Sequence, residues 1–375
     1  MRPLRALTPV SLVLASVLLA LLVVELALRI STPETWGQVA NADRSPWLVD
    51  DPILAFANRP GGEYASVRIN EYGFRGPELS EGARVQRIAC LGDSSTFGLW
   101  LDGAADDLEY RWIRFEGYPQ ELAQMLANRD IRGVEVVNAG VQGYTSSHGL
   151  RQLVTRVLPV APHVVIARFG LNDHKLVSPS SGRRIVEPDT ALGRRLLYGF
   201  ESWRLARLGL RAWRSSEWLR PTGPRVLRVD PQRFERNLRR FAEISRERGF
   251  HLLLLDYPLR PLAWGEHPHN AKVYRTSGHA TLAGFHRIHA RYQALLRRVA
   301  QEEGVALLET GQVFARRDNP LYGEWDFVHP NALGATELAR LVLDELVALG
   351  WVHLPSTTSG ESPGAQFENA RRDEN

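Results

Sequence analysis

Apolar positions fall into two regimes along this chain. Residues 6–28 are almost wholly apolar, with Glu25 the only charge. From about residue 85 onward, short apolar runs alternate with stretches whose apolar residues recur at helical spacing. The runs 85–91, 134–138, 163–169, 251–257 and 305–309 predict strands. The stretches 118–127, 148–158, 234–248, 285–303 and 332–349 predict helices. In 148–158, for instance, Leu150, Leu153, Val154 and Val157 share one face, and in 234–248 so do Phe234, Leu238, Phe241 and Ile244. Apolar strands alternating with amphipathic helices predict a parallel sheet covered on both faces. In such sheets ligands bind where the strands end.

The first regime is long enough to cross a hydrocarbon core of about 30 Å at about 1.5 Å per residue. A cleaved signal peptide competes with that reading. Its apolar region would be shorter, and a small-x-small cleavage site should follow. The exit here reads Glu25-Leu26-Ala27-Leu28-Arg29-Ile30, a poor cleavage site, so an uncleaved transmembrane anchor over 6–28 is expected. Arg2 and Arg5 then hold residues 1–5 in the cytoplasm, with the bulk of the chain outside it.

The remaining stretches break the alternation. Residues 29–82 are rich in Pro, Gly and polar residues and read as a linker and loop-rich approach to a domain over 83–355. Within it, residues 70–76 form a turn-like segment. Residues 101–115 read as a polar loop with Asp106, Asp107 and Glu109. Residues 178–230 read as an insertion. At its centre, residues 192–218 mix leucines, Phe200 and tryptophans with Arg194, Arg195, Arg204, Arg207, Arg211 and Arg214. Such a helix can lie on a membrane surface. Packing over the sheet, or over the site as a lid, explains the same spacing and is the preferred reading. Residues 356–375 read as a disordered tail.

Composition adds limits. The chain has 375 residues, a formal charge of +4 and a pI of about 9.4. Lys175 and Lys272 are the only lysines, acidic residues nearly match the basic ones, and no long basic run exists. That argues against a nucleic-acid partner. Cys90 is the only cysteine, so no disulfide forms within the chain.

Candidate chemistry sits at the expected strand ends. The first strand stops at Gly92-Asp93-Ser94-Ser95, which places Ser94 on the rim of the sheet. Alone it is an ordinary turn serine. The second strand is followed by Asn138-Ala139-Gly140-Val141-Gln142-Gly143. Gly143 can bring a bare backbone N–H close to a substrate, or simply make a turn. Gly140 is the alternative in that run. The third strand leads into Gly170-Leu171-Asn172-Asp173-His174. The Asn172 amide can donate to an oxyanion, or cap a turn or helix. His174 lines the same stretch without an assigned role. Before the last helix comes Asp326-Phe327-Val328-His329-Pro330. His329 can serve as general base with Asp326 orienting it, or the pair can cap the helix. The parts fit one mechanism: a serine hydroxyl needs an adjacent base, and the tetrahedral intermediate needs two or three donors. His267-x-His269 lacks acidic or cysteine partners at a metal-binding spacing, so no metal is expected.

In their order, Gly92-Asp93-Ser94, Gly143, Gly170-Leu171-Asn172-Asp173 and Asp326-x-x-His329-Pro330 resemble the sequence blocks of the SGNH (GDSL-type) hydrolase superfamily. The resemblance runs from about residue 87 to 335. It implies a flavodoxin-like three-layer α/β/α sandwich and serine esterase chemistry without metal or cofactor. It further implies Ser94 as nucleophile, His329 as base and Asp326 as its partner. The oxyanion hole would be the Ser94 N–H, the Gly143 N–H and the Asn172 amide. Ser95 departs from the leucine usual at that position. Asp93 is expected to shape the turn that holds Ser94. The expected substrate is a carboxylic ester on a glycan or a lipid. An O-acyltransferase acting on an envelope polysaccharide, or a non-catalytic glycan-binding protein on the same fold, are the alternatives.

Overall fold

In the computed structural model, the described residues are 9–31, 37–38, 47–64, 67–81, 85–102, 111–114, 116–179, 188, 190–201, 203–215, 223–264, 274–275, 277–316, 321–323 and 326–353. The expected tail at 356–375, most of the loop at 101–115, and His267 and His269 lie outside them.

Five strands form the central sheet: β1 (Gln86–Gly92), β2 (Val134–Gly140), β3 (Val164–Arg168), β4 (His251–Leu255) and β5 (Ala306–Leu308). Their spatial order is β2-β1-β3-β4-β5 and every pairing is parallel. This is the flavodoxin-like order, whose direction of winding reverses between β1 and β3. Each strand lies within two residues of its predicted bounds. Continuous apolar runs such as His251–Leu255 suit a strand buried on both faces.

Side chains alternate between two cores, because successive residues of a strand point to opposite faces. Ala89 and Leu91 of β1 join Phe234, Phe241, Tyr292 and Leu296. Ile88 and Cys90 join Leu122, Leu126, Leu338 and Val342. The first group packs α4 (Ser146–Gln152), α7 (Pro231–Arg248) and α8 (Leu282–Glu303) on one face. The second packs α3 (Tyr118–Asn128) and α9 (Ala332–Ala348) on the other. The result is a three-layer α/β/α sandwich. Each fully buried leucine or phenylalanine contributes about 1.5–3 kcal/mol.

The stretch read as a polar loop over 101–115 carries strand at both ends, because Leu99–Asp102 pairs antiparallel with Arg111–Arg114 and these backbone groups satisfy each other. Two larger segments also differ from the sequence reading. Residues 47–58, read as part of a linker, carry an antiparallel strand pair, Leu48–Asp51 with Ala55–Asn58. Trp47, Leu54 and Phe56 enter the larger core. Asn58 donates to the Gly140 carbonyl at 3.1 Å, and the Arg75 N–H donates to Asn138 O at 2.9 Å. The stretch thus wraps the edge strand β2. The second difference is in the insertion. Its helical centre is two helices, α5 (Ala191–Glu201) and α6 (Arg204–Ser215). The insertion leaves and rejoins the domain through a short ribbon, Leu176–Val177 paired with Val226–Leu227.

At the N-terminus, α1 (Pro9–Ser31) is long and apolar enough to cross a membrane by length and composition. It ends three residues beyond the expected boundary at 28.

Candidate active site

The register of the sheet brings three loops to one edge. Gly92 at the end of β1 is level with Arg168 of β3 and Gly140 of β2. The residues that follow, Asp93-Ser94, Val141-Gln142-Gly143 and Phe169 to Asp173, therefore leave the sheet side by side. They flank the β1/β3 crevice, the switch point where ligands bind in this topology.

Ser94 opens the single helical turn α2 (Ser94–Phe97). Asp93 caps that turn, accepting the Ser95 N–H at 3.0 Å, and Gly98 closes it in the left-handed region. Ser94 is buried, yet its hydroxyl lies 2.7 Å from His329 Nε2. His329 in turn sits 2.7 Å from Asp326 through Nδ1 and Oδ2. The loop that does this is local. Asp326 Oδ1 accepts the N–H of Val328 and of His329, both at 2.9 Å, which folds the segment so that the ring three residues on returns to the carboxylate. Asn331 then caps α9, accepting the Gly334 N–H at 2.9 Å.

Protons on this chain follow from the inventory of donors. An ionised carboxylate only accepts, so the shared proton rests on His329 Nδ1. Nε2 is then left to accept from the Ser94 hydroxyl. Burial works against the charged form of Asp326. The His329 ring and the two backbone N–H groups outweigh it and hold the carboxyl below its usual range.

The remaining sequence-selected residues take distinct places. Asn172 donates one amide hydrogen to Asp93 Oδ2 at 2.8 Å, so its side chain is fixed beside the turn that carries Ser94. Burial pushes the Asp93 carboxyl up, against the pull of His329 and the Ser95 N–H. Tyr257 donates to Asp93 at 3.2 Å and also meets Ser95 Oγ. Ser95 thus fills its departure from the family leucine with a hydrogen bond. Gly140 and Gly143 differ in their surroundings. A Cβ at Gly140 would lie 2.4 Å from the Phe97 nitrogen, so that glycine serves the packing of α2. Gly143 has a φ of +82°, and a Cβ there would meet nothing nearer than 3.9 Å, so this glycine lies in the open turn after β2.

Sequence reasoning passed over the group that ties these loops together. Asp173 accepts the Ser146 N–H at 3.0 Å and the Gly170 N–H at 3.1 Å, so the start of α4 is bound to the loop after β3. Arg228, at the foot of the insertion, donates to Gly143 O at 2.8 Å. The only sequence signal for Asp173 is its place beside Asn172. Among the described residues, no group of three or more His, Cys, Asp or Glu could hold a metal ion.

Behind this rim lies a histidine chain. His174 Nε2 meets His289 Nδ1 at 3.1 Å, and His289 Nε2 meets the Tyr257 carbonyl at 2.6 Å. The carbonyl requires a proton on His289 Nε2, so Nδ1 accepts from His174. Burial, with His286 and Arg168 nearby, pushes His289 down to about 4 despite its bond to Tyr257. Between that value and the unfolded one of about 6.5, the unfolded chain binds the extra proton. Stability from this group is therefore complete above pH 6.5 and lost as pH falls towards 4, by about 3 kcal/mol in all. Asp173, pushed up to about 6 mainly by burial, acts with the opposite sign over an overlapping window. The difference between wild type and His289→Asn isolates the histidine. Urea unfolding at a series of pH values should give the variant a less steep loss below pH 6.5, and parallel profiles would refute the assignment.

The sequence profile of the GDSL-like Lipase/Acylhydrolase family matches residues 90–336. No curated protein matches the chain. Among solved structures, the chain is similar to the lipase/acylhydrolase from Enterococcus faecalis, with 16% identity, a TM-score of 0.43, and 72% of this chain and 99% of that one covered. It is similar to an acetylxylan esterase from Geobacillus stearothermophilus, with 18% identity, a TM-score of 0.42, and coverage of 72% and 97%. It is also similar to the native M. smegmatis aryl esterase, with 18% identity, a TM-score of 0.40, and coverage of 71% and 100%.

Proposed function

Since the chain belongs to the GDSL-like lipase/acylhydrolase family and is an ester-hydrolysing enzyme, we propose that it works through an acyl-Ser94 intermediate. The observation that carries this reading is the hydrogen-bond chain from Ser94 Oγ through His329 to Asp326, 2.7 Å at each step. The Ser94 oxygen attacks the ester carbonyl carbon while its proton passes to His329 Nε2. The carbonyl oxygen becomes an oxyanion, met by the N–H groups of Ser94 and Gly143 and by the Asn172 amide. Each such donor is worth about 3 kcal/mol of barrier. The intermediate collapses, the carbon–alkoxide bond breaks, and the alkoxide takes the proton from His329. Water then repeats the attack with His329 as base, and Ser94 recovers its proton as the acid leaves. Asp326 keeps the proton on Nδ1 throughout and stabilises the imidazolium.

The substrate is a carboxylic ester, an O-acetyl group on a glycan or a lipid ester. The α1 helix serves as a membrane anchor, with Arg2 and Arg5 on its cytoplasmic side and the catalytic domain outside the cytoplasm.

A fluorophosphonate tests nucleophile and orientation together. Ser94 Oγ displaces fluoride from phosphorus, so the purified chain should gain one adduct, mapped by mass spectrometry to Ser94. A membrane-impermeant version should label the protein on cells stripped to their cytoplasmic membrane. An adduct elsewhere would sink the nucleophile. Labelling that needs lysis would reverse the orientation.

A further inference from the structure

Two segments far apart in sequence meet at the end of the apolar helix. The Glu25 carboxylate on α1 accepts the backbone N–H groups of Arg204 and Leu205, each at 3.0 Å. These are the first two residues of α6, whose opening N–H groups have no partner within the helix. Arg204 Nη1 donates to Leu28 O at 2.9 Å, and Arg29 Nε donates to Glu25 at 2.7 Å. A carboxylate in a membrane-crossing helix is costly unless it is paired. Glu25 is buried against α6. The first turn of α6 is therefore held at the level of residues 25–28. Counting about 1.5 Å per residue from Pro9, that is close to the depth where a hydrocarbon core of about 30 Å ends.

What the two helices present there is not the face of a helix that looks into water. Leu192, Leu196 and Phe200 recur at four-residue spacing along α5 and are 67%, 64% and 56% exposed; Leu208 on α6 is 47% exposed. A helix packed over a site turns such a stripe inward and its polar face out. Around the stripe, residues 191–215 hold six arginines and one acidic residue, Glu201. In sequence, the arginines at 204, 207, 211 and 214 recur at three- and four-residue spacing. An apolar stripe beside dense positive charge is the composition of a helix seated at a lipid headgroup layer, and its charge complements anionic lipid.

We propose that α5 and α6 form a membrane-surface element that inserts Leu192, Leu196 and Phe200 among anionic lipids around the outer end of α1. The proposal rests on the reading of α1 as an anchor, and it reverses the preference for a helix packed over the sheet. The surface is continuous with the anchor through Glu25, which leaves lipid as the neighbour of the exposed stripe. The same insertion rejoins the domain at Arg228, whose side chain holds the Gly143 carbonyl. Seating at the membrane thus keeps the rim that carries Gly143 and Asn172 near the headgroups.

Single cysteines carrying a fluorophore test this in the full chain, reconstituted in nanodiscs of mixed phosphatidylglycerol and phosphatidylcholine. Cys90 is buried with its thiol pushed up to about 12 and does not compete for the label. The variants are Leu196→Cys and Phe200→Cys, with Val17→Cys to report the anchor. Leu349→Cys, past the end of α9 at the opposite edge of the sheet, is the control. Headgroup-level spin-labelled lipid should quench the probes at 196 and 200 about threefold or more above the control, and lipid labelled deep in the acyl chain should quench the probe at 17, which lies inside the hydrocarbon core. In phosphatidylcholine alone that excess should fall. Quenching at 17 with none above control at 196 and 200 would overturn the proposal alone. Quenching at none of the three would overturn the anchor reading with it. Equal quenching in both lipids would overturn the part played by anionic headgroups.

Discussion

Ser94→Ala is expected to lower kcat on p-nitrophenyl acetate by about 10⁴- to 10⁶-fold, with KM little changed. The change removes the attacking atom and leaves the rest of the rim in place. The Gly143 turn and the Asn172–Asp93 bond do not involve the Ser94 hydroxyl. The turn itself is held by Asp93 and Gly98 and by the Ser94 carbonyl, all retained in alanine. The side chain lost has one bond, to His329, so thermal unfolding should move by the equivalent of about 1 kcal/mol at most. A folded variant with wild-type turnover would remove Ser94 from the mechanism. Residual activity well above water is still expected, because backbone donors polarise a bound ester without the nucleophile.

The second large effect is expected at Asp326. Asp326→Asn should cost about 10⁴-fold in kcat while the loop keeps its shape. Asparagine retains an oxygen for the Val328 and His329 N–H groups. Its amide then faces His329 Nδ1, where a carboxylate oxygen stood. Two donors cannot share that position, so the ring is driven to carry its proton on Nε2. In that state it cannot accept the Ser94 proton. The same variant should lose an acid sensitivity. The Asp326 carboxyl lies below its usual value, so its contribution to stability is present above the unfolded value near 3.8 and is lost as pH falls through the folded one. Rates and urea midpoints measured on one preparation separate the two consequences. A loss under about tenfold would mean that His329 is oriented by something other than this carboxylate.

The parts of this molecule that could be read in advance are those fixed by near neighbours in sequence. Strands such as His251–Leu255 are continuous apolar runs, and no distant residue is needed to recognise them. The Asp326–His329 pairing spans one loop, and its geometry follows from an aspartate accepting the N–H groups just after it. Misjudged features are held from a distance. The helix read at 148–158 starts at Ser146, whose N–H is bound by Asp173 from another strand end, and its regular turns stop at Gln152 before a wider turn over Leu153–Val157. The break between α5 and α6 is capped by Glu25 from the far end of the chain. Periodicity cannot reveal a cap supplied by residues 179 positions away. The Leu48–Asn58 strand pair escaped notice because its strands are short and Asp50-Asp51-Pro52 interrupts the apolar run between them.

The separation between Ser94 and His329 has a bearing on how this protein is made. The two side chains that touch at 2.7 Å are 235 residues apart. A ribosome adding about 5–20 residues per second delivers Ser94 well before His329. Until His329 is made, Ser94 lacks the partner it meets in the folded chain, and α9, which follows His329, has yet to join the sheet. On the proposed mechanism, an emerging chain therefore lacks the contact that would activate Ser94. On that mechanism, hydrolytic competence arrives only when the segment before α9 reaches the end of β1, so assembly itself acts as the safety catch.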